Sequence, residues 1–144
     1  MSPDDLADKL EIHELLYRYA RAVDTGDRDL LRGVFVADAV LDYSDVGGPD
    51  AGRDEVVHWL VTSLSLLPMA QHLITNIEVD LDGDRATVRA LFHNPMQLPG
   101  VEGISACGGR YHHEVVRTPD GWRSVRLREE NLWFTNPPPG LGAP

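Results

Sequence analysis

Residues 73–92, LITNIEVDLDGDRATVRALF, carry the clearest secondary-structure signal in the chain. The first half of this stretch alternates apolar and polar side chains up to Leu81, and its second half does the same from Ala86 onward. Alternation with a period of two is typical of strands that bury one face. Asp82-Gly83-Asp84 between the two halves is a strong signal for a tight turn, so we predict an antiparallel hairpin here.

The chain around this hairpin predicts helices before it and strands after it. Apolar residues recur every three or four positions in the N-terminal half, which indicates amphipathic helices. We place helices at 2–23, 27–34 and 52–67, and strands at 40–43, 108–117 and 122–133. Helices followed by hairpin-linked strands indicate the α+β class.

This order of elements predicts three helices packed on one face of a curved, mainly antiparallel sheet. Such a sheet, closed by helices, forms a cone-shaped α+β barrel whose open mouth can hold a small, mostly apolar ligand. We expect a single domain over residues 1–136. The Pro- and Gly-rich residues 137–144 are expected to form an extended C-terminal tail.

Composition excludes several classes of partner. The chain has 144 residues and a formal net charge of −10, which repels nucleic-acid phosphates and anionic lipids. No apolar run approaches the roughly 20 residues of a membrane span. The start of the chain is acidic where a secretion signal is basic, and the single cysteine, Cys107, cannot form an internal disulfide. We therefore expect a cytoplasmic protein with no nucleic-acid or membrane partner. The exposed face of the predicted sheet indicates a homodimer or homotrimer, and we expect no metal and no cofactor.

His72 is the histidine best placed for chemistry, because it opens the first strand of the hairpin. By strand alternation it shares a face with Ile74 and Asn76. The opposite face carries Leu73, Ile77 and Val79. An imidazole facing an apolar cavity is poised to act as a base. The alternative is a structural histidine held by hydrogen bonds.

Asp24 is the candidate partner of His72. It ends the first helix on or near the buried side, where an unpaired carboxylate is costly. If it meets His72, it fixes the tautomer of the imidazole and stabilises the imidazolium that forms when a proton is taken. The alternative is a carboxylate that binds backbone amides near Gly26.

The other five histidines are less well placed. His13 and His58 lie in helices without a metal-type partner one turn away, and His93 lies next to Asn94-Pro95, where a strand is expected to break. Because neighbouring strand residues face opposite sides of a sheet, at most one of His112 and His113 lines the cavity.

Three stretches of the chain together resemble a known family. They are IHELLYRYARAVDTGD at 12–27, LDY at 41–43 and QHLITN at 71–76. They resemble the SnoaL-like branch of the nuclear transport factor 2-like superfamily and, within it, scytalone dehydratase and hexachlorocyclohexane dehydrochlorinase. The resemblance spans most of the chain and implies the cone-shaped, cystatin-like barrel of that superfamily.

The resemblance also implies roles for individual residues. Asp24 and His72 fall on the positions of the paired Asp and His of those enzymes. Tyr43 falls on a tyrosine that helps to polarise the substrate carbonyl through water. Tyr19 stands where the dehydrochlorinase has a lysine that assists the departing chloride, which argues against dehalogenation and leaves Tyr19 as a predicted substrate contact.

Four further side chains are predicted to contact the substrate, namely Arg128, His113, Asn76 and Trp59. Arg128 either takes the late-strand cationic role seen in the dehydrochlorinase or is a surface residue paired with Glu129 or Glu130. One of His112 and His113 is the candidate replacement for a second active-site histidine of the dehydratase.

The sequence thus predicts a cofactor-independent acid–base enzyme of the dehydratase, isomerase or cyclase type. Its substrate is expected to be a small hydrophobic, aromatic or polyketide-like molecule, handled by an Asp-His pair. Two alternatives come from other classes: a pocket protein that binds a hydrophobic ligand without transforming it, and a small structural subunit of a ring-hydroxylating dioxygenase.

Overall fold

The computed structural model of the protein describes residues 1–139, with helices and strands from Pro3 to Thr135. The helices are α1 (Pro3–Thr25), α2 (Arg28–Arg32) and α3 (Arg53–Leu64), and a short 3-10 turn covers Ser44–Val46. The strands are β1 (Phe35–Asp42), β2 (Asp50–Gly52), β3 (Met69–Ala70), β4 (Leu73–Asp82), β5 (Arg85–Gln97), β6 (Ser105–Thr118) and β7 (Gly121–Thr135). In the predicted tail, residues 137–139 form no helix or strand, and residues 140–144 lie outside the described residues.

The ends of α1 follow from local sequence. The Ser2 hydroxyl accepts a hydrogen bond from the Asp5 backbone N–H, and the Asp5 carboxylate accepts one from the Ser2 N–H, each at 3.0 Å. This reciprocal arrangement satisfies two backbone donors that the first turn leaves unpaired. Gly26, at φ 67°, ends the helix in the left-handed conformation that glycine adopts easily. Asp24 therefore lies in the last turn of α1.

One curled sheet of seven strands carries the helices. Its order is β2-β1-β7-β6-β5-β3, and β4 pairs with β5 along the same edge as β3. All pairs are antiparallel except β1 with β7, which is parallel. The hairpin predicted over residues 73–92 is present as β4 and β5. The predicted fold is confirmed: three helices pack on a curled mixed sheet that forms a half-barrel.

Pro95 does not end β5, so the prediction that places His93 in a loop is wrong. The Pro95 carbonyl accepts a hydrogen bond from the Gln71 N–H at 3.0 Å. The backbone nitrogen and carbonyl of Pro95 therefore point away from β6, towards the gap between β3 and β4. The missing N–H of proline therefore costs no bond between β5 and β6. His93 lies within β5, exposed, with its ring 5.5 Å from that of Trp133.

A bulge in β4 corrects the predicted facing of this strand. The register with β5 shifts between Thr75 and Glu78, and Asn76 has a φ of 51°. As a result Ile74 and Ile77, three positions apart, both pack on the core. The prediction that put Ile77 and Val79 on the face opposite His72 is wrong, because an inserted residue moves all later side chains to the other face.

The core lies between the helices and the concave face of the sheet. The largest of its fully buried side chains come from α1, α2, β1 and β7: Tyr19, Ile12, Leu15, Leu16, Leu31, Leu41, Trp122 and Leu127. Of the helices in residues 1–139, none combines the length and the apolar character needed to cross a membrane.

Candidate functional site

The cone encloses a cavity of about 160 Å³ between α1, α3 and the sheet. Its polar and aromatic lining consists of Tyr19, Tyr43, Trp59, His72, Asn94, Cys107, Tyr111 and Glu129. Its apolar lining consists of Val46, Leu60, Leu64, Phe92, Met96 and Phe134. A dry cavity of about 150 Å³ holds one benzene molecule, so this volume suits a single ring with small substituents.

The structure brings Asp24 and His72 together at the edge of this cavity. The His72 Nδ1 lies 2.6 Å from Asp24 Oδ1, and the His72 backbone N–H donates to both carboxylate oxygens at 2.9 and 3.1 Å. The His72 side chain is only 7% exposed and that of Asp24 is 21% exposed. Asp24 thus binds His72, and not the amides near Gly26.

The broken edge of the sheet explains why this contact forms. The Gln71 N–H points to β5, where Pro95 accepts it, so the next N–H along the chain, that of His72, points away from β5. α1 packs against β4 and brings its last turn to this free edge. Asp24 therefore satisfies a backbone donor that the sheet leaves unpaired and at the same time reaches the imidazole of the same residue.

The position of Asp24 in α1 is unfavourable by itself. A carboxylate near a helix C-terminus meets the negative end of the helix dipole, at a cost of about 0.3–1 kcal/mol. The last turn of α1 contains no basic side chain that would offset this unfavourable interaction with the helix dipole. The hydrogen bonds from His72 are what stabilise the carboxylate there.

This geometry selects one tautomer of His72. An ionised carboxylate only accepts hydrogen bonds, so the proton of a neutral imidazole lies on Nδ1. Nε2 then keeps its lone pair, and it forms no hydrogen bond with any residue in the range 1–139. Because His72 lines the cavity, Nε2 is the atom available to take a proton from a bound molecule.

Three tyrosines form a hydrogen-bonded cluster in the wall of the cavity. The Tyr19 hydroxyl bonds to the Tyr43 hydroxyl and lies 3.5 Å from that of Tyr111. Burial raises the pKa of Tyr19 to about 12 and holds the pKa of Tyr43 and Tyr111 well above the ordinary tyrosine value, so all three remain protonated. Two hydrogen bonds use two of the three hydroxyl protons. One proton therefore remains to be donated to a ligand.

Trp59 packs over the cavity from α3. Its ring centroid lies 5.6 Å from that of Tyr43, and its indole lies against Gly48. A Cβ on Gly48 would come within 2.5 Å of the Trp59 ring, so this close approach requires glycine. The loop after β1 and the indole thus determine together the shape of this side of the cavity.

Glu129 lines the cavity and, like Tyr111, is not among the residues predicted from the sequence. It is 4% exposed, and its Oε1 is enclosed with no hydrogen-bond partner among the described residues. Burial, reinforced by the nearby carboxylates of Asp45, Asp42 and Glu130, raises its pKa to about 7. The sequence contains a signal for this position, because residues two apart in a strand face the same side of the sheet and Glu129 follows the apolar Leu127 by two.

Two predicted substrate contacts lie outside the cavity. Arg128 is exposed between the buried Leu127 and Glu129, because side chains alternate along β7. Asn76 is exposed at the bulge of β4, in a surface depression with Glu78 and Arg89. The expectation that these two side chains contact a ligand in the cone is therefore corrected.

His113 faces inward but is not among the residues that line the cavity. It is 2% exposed, its Nδ1 lies 2.8 Å from Ser124 Oγ, and its ring stacks on Phe35 at 6.4 Å. Burial, with a smaller contribution from the neighbouring His112, lowers its pKa to about 3. It is a neutral core residue, and the expectation of a substrate contact is corrected for His113 as well.

The remaining titratable groups suggest no metal centre. His112 Nε2 lies 2.8 Å from Glu130 Oε1 on the outer side of the sheet. Within residues 1–139, no three His, Cys, Asp or Glu side chains come close enough together to hold a metal ion.

Comparison with known proteins agrees with this architecture. Residues 4–128 match the family model of the SnoaL-like domain. The uncharacterized protein Rv2910c of Mycobacterium tuberculosis is 39% identical over 130 residues, which are 90% of this chain and 88% of that protein.

Two solved structures share the fold. A protein of Novosphingobium aromaticivorans, provisionally named a scytalone dehydratase, has a TM-score of 0.85 at 20% identity, with 96% of this chain and 93% of that one covered. The hexachlorocyclohexane dehydrochlorinase LinA type 2 has a TM-score of 0.80 at 19% identity, with 96% and 98% covered. At these identities the likeness concerns the fold alone. From the match over residues 4–128 and the 39% identical relative, the chain belongs to the SnoaL-like domain family of the nuclear transport factor 2-like superfamily, as the sequence resemblance predicted.

Proposed function

We propose that this protein is an acid–base enzyme of the dehydratase, isomerase or cyclase type that works with its own side chains. Its substrate is a small hydrophobic or aromatic molecule that carries a carbonyl group. The observation that carries the proposal is the 2.6 Å contact between Asp24 Oδ1 and His72 Nδ1, on a histidine that lines the cavity.

His72 acts as the base in this scheme. Its Nε2 takes a proton from a carbon next to the carbonyl, and the imidazole becomes an imidazolium. Asp24 holds the ring in position and stabilises the positive charge that forms, as a buried carboxylate does for a catalytic histidine. General-base catalysis of this kind contributes about 10²–10⁴-fold to the rate.

The tyrosine cluster supplies the second requirement, a donor for the developing enolate oxygen. One hydroxyl proton of Tyr19, Tyr43 and Tyr111 is free for a ligand, and the high pKa values keep it in place. A preorganised donor in a site that excludes water stabilises such an oxyanion more than water does. Because Tyr19 donates to Tyr111, Tyr43 donates to Tyr19, and the free proton is that of Tyr111, which lines the cavity. Tyr111 is therefore the candidate donor, and Tyr43 holds Tyr19 in place.

The size and lining of the cavity support a one-ring substrate. Its volume is about 160 Å³, and Phe92, Phe134, Leu60 and Met96 give it apolar surface. The names of the two structural neighbours, a dehydratase and a dehydrochlorinase, both denote eliminations, in which a hydrogen and a leaving group are removed. Those names concern those proteins and favour, for this chain, chemistry at a C–H bond.

Proton exchange tests the proposal without knowledge of the natural substrate. Cyclohexanone and acetophenone are incubated with the protein in D₂O, and loss of the proton signal next to the carbonyl is followed by NMR. We expect the wild-type protein to accelerate exchange and His72→Ala to lose about 10²–10⁴-fold of this acceleration. His93→Ala, an exposed histidine on β5, is the matched control and should retain the wild-type rate.

Two results would contradict the proposal. One is equal exchange by wild type and a folded His72→Ala variant. The other is tight binding of the unchanged ketones with no exchange, together with wild-type behaviour of Asp24→Asn, which would indicate a binding protein.

A further inference from the structure

Glu129 is a buried carboxyl group that the mechanism above does not use. It lies on β7, lines the same cavity as His72, and is 4% exposed. Neither carboxyl oxygen forms a hydrogen bond or an ion pair with a residue in the described range, and Oε1 is fully enclosed. Buried polar atoms nearly always have a partner, so an unpartnered one aimed into a cavity indicates that a ligand supplies it.

The surroundings of Glu129 favour its protonated form. The charged groups that act on it are carboxylates from three elements: Asp42 of β1, Asp45 of the 3-10 turn and Glu130 of β7. The groups beside it in the cavity wall, Tyr111 and Cys107 of β6 and Tyr19 of α1, stay neutral because burial raises the pKa of each.

Among residues 1–139, no cation compensates a negative charge at this position. Arg128, the nearest basic residue in sequence, is exposed on the opposite face of β7. An ionised carboxylate without a partner in such a place is costly, and the group takes up a proton instead. With a pKa of about 7, Glu129 presents an O–H to the cavity in about half of the molecules at pH 7 and in most of them below it.

We propose that Glu129 is the proton donor of this site and protonates the oxygen that leaves the substrate. The inference rests on the function proposed above. In the step, the C–H bond next to the carbonyl breaks, its proton goes to His72 Nε2, and its electron pair gives the enolate. The enolate then returns to the ketone and forms the C=C bond as the C–O bond breaks, and the Glu129 proton joins the departing oxygen to give water. A proton passes from the imidazolium to the Glu129 carboxylate through solvent to restore the starting state.

This role selects one reaction from the three types considered. Shifting a double bond needs one base and one oxyanion donor, which His72 and the tyrosine cluster already supply. Expelling a hydroxyl group needs in addition an acid, because hydroxide is a poor leaving group. A separate neutral acid in the same cavity therefore favours dehydration, and the substrate class becomes a one-ring β-hydroxy ketone.

Three probes separate the two proton transfers. Exchange of cyclohexanone in D₂O reports the base alone. Conversion of 3-hydroxycyclohexanone to the enone, followed by ultraviolet absorbance, needs both base and acid. Elimination of acetate from 3-acetoxycyclohexanone needs the base but no acid, because acetate leaves without a proton.

Glu129→Gln keeps the shape of the side chain but cannot transfer a proton. We expect it to lose dehydration of the hydroxy ketone by about 10²–10⁴-fold and to keep exchange and acetate elimination within about threefold of wild type. His72→Ala should lose all three activities. Glu114→Gln, an exposed carboxylate on β6, is the matched control and should change none of them.

The outcomes distinguish the two proposals. Glu129 is not the acid if Glu129→Gln dehydrates like wild type or loses all three activities equally. The same follows if wild type exchanges cyclohexanone but eliminates no water. In each of these cases the assignment of His72 as the base stands. If wild type fails to accelerate exchange and both eliminations, the proposed function fails and this inference fails with it.

Discussion

Replacing Glu129 with Gln should change how stability depends on pH. The folded protein holds this carboxyl in a buried place with a pKa of about 7, whereas its ordinary value is 4.5. Between these two pH values the native state binds more protons than the unfolded state. The free energy of unfolding therefore falls as pH rises through this window, and Gln, which does not titrate, removes that contribution.

The size of the effect follows from the two pKa values. One pKa unit corresponds to about 1.4 kcal/mol, so the gap between 4.5 and about 7 corresponds to about 3 kcal/mol of stability that wild type loses between low and high pH. Most of this loss falls between pH 5 and pH 8. The free energy of unfolding of Glu129→Gln minus that of wild type should thus be about 2–3 kcal/mol larger at pH 8 than at pH 5.

Urea denaturation at pH 5, 6, 7 and 8 measures this difference directly. Comparing variant with wild type at each pH cancels the titration of all other groups. Glu114→Gln serves again as the control, because an exposed carboxylate is solvated in both states, and its difference from wild type should be flat. Parallel stability curves for wild type and Glu129→Gln would refute the argument, since they would mean that Glu129 is ionised in the folded protein.

Three further changes test other features of the site. Gly48→Ala places a methyl group where the Trp59 ring lies, 2.5 Å from the nearest atom, so KM for cyclohexanone exchange should rise with little change in kcat in steady-state kinetics. Asp24→Asn no longer stabilises an imidazolium, so exchange measured by NMR should fall by at least about 10²-fold. Tm should fall as well, because the amide accepts at one oxygen only, and the lost charge-assisted hydrogen bonds from His72, about 1.5–3 kcal/mol, outweigh the relief of the helix dipole, about 0.3–1 kcal/mol. The pKa of His113 is lowered to about 3 in the folded protein, so between pH 6.5 and pH 3 the unfolded chain binds a proton that the folded protein does not. Unfolding in urea should therefore become easier as pH falls through this range, and His113→Gln should flatten the dependence.

Several elements of the fold follow from local sequence. The alternation on either side of Asp82-Gly83-Asp84 predicts the β4–β5 hairpin, because a half-buried strand repeats every two residues. Ser2 and Gly26 predict both ends of α1, because caps satisfy backbone groups within one turn. These signals depend only on neighbours along the chain.

Strand irregularities decided what the periodicity missed. The bulge at Asn76 turned the second half of β4, and the broken strand next to Pro95 freed the His72 N–H for Asp24. Neither the bulge nor the strand break repeats along the chain, so alternation of apolar and polar residues predicts neither of them. Arg128 was a candidate on charge, yet the cavity receives Glu129 from the other face of the same strand.

Local patterns predict the fold class, the helix caps and the hairpin, and family resemblance adds the two positions Asp24 and His72. The folded chain was needed to show that these two side chains, 48 residues apart, touch, and that Glu129 is buried near carboxylates with no cation beside it among residues 1–139. The difference lies in the range of the interactions. Propensity and periodicity act between residues close in sequence, whereas burial, hydrogen-bond partners and the pKa of a carboxyl depend on which distant segments pack around it.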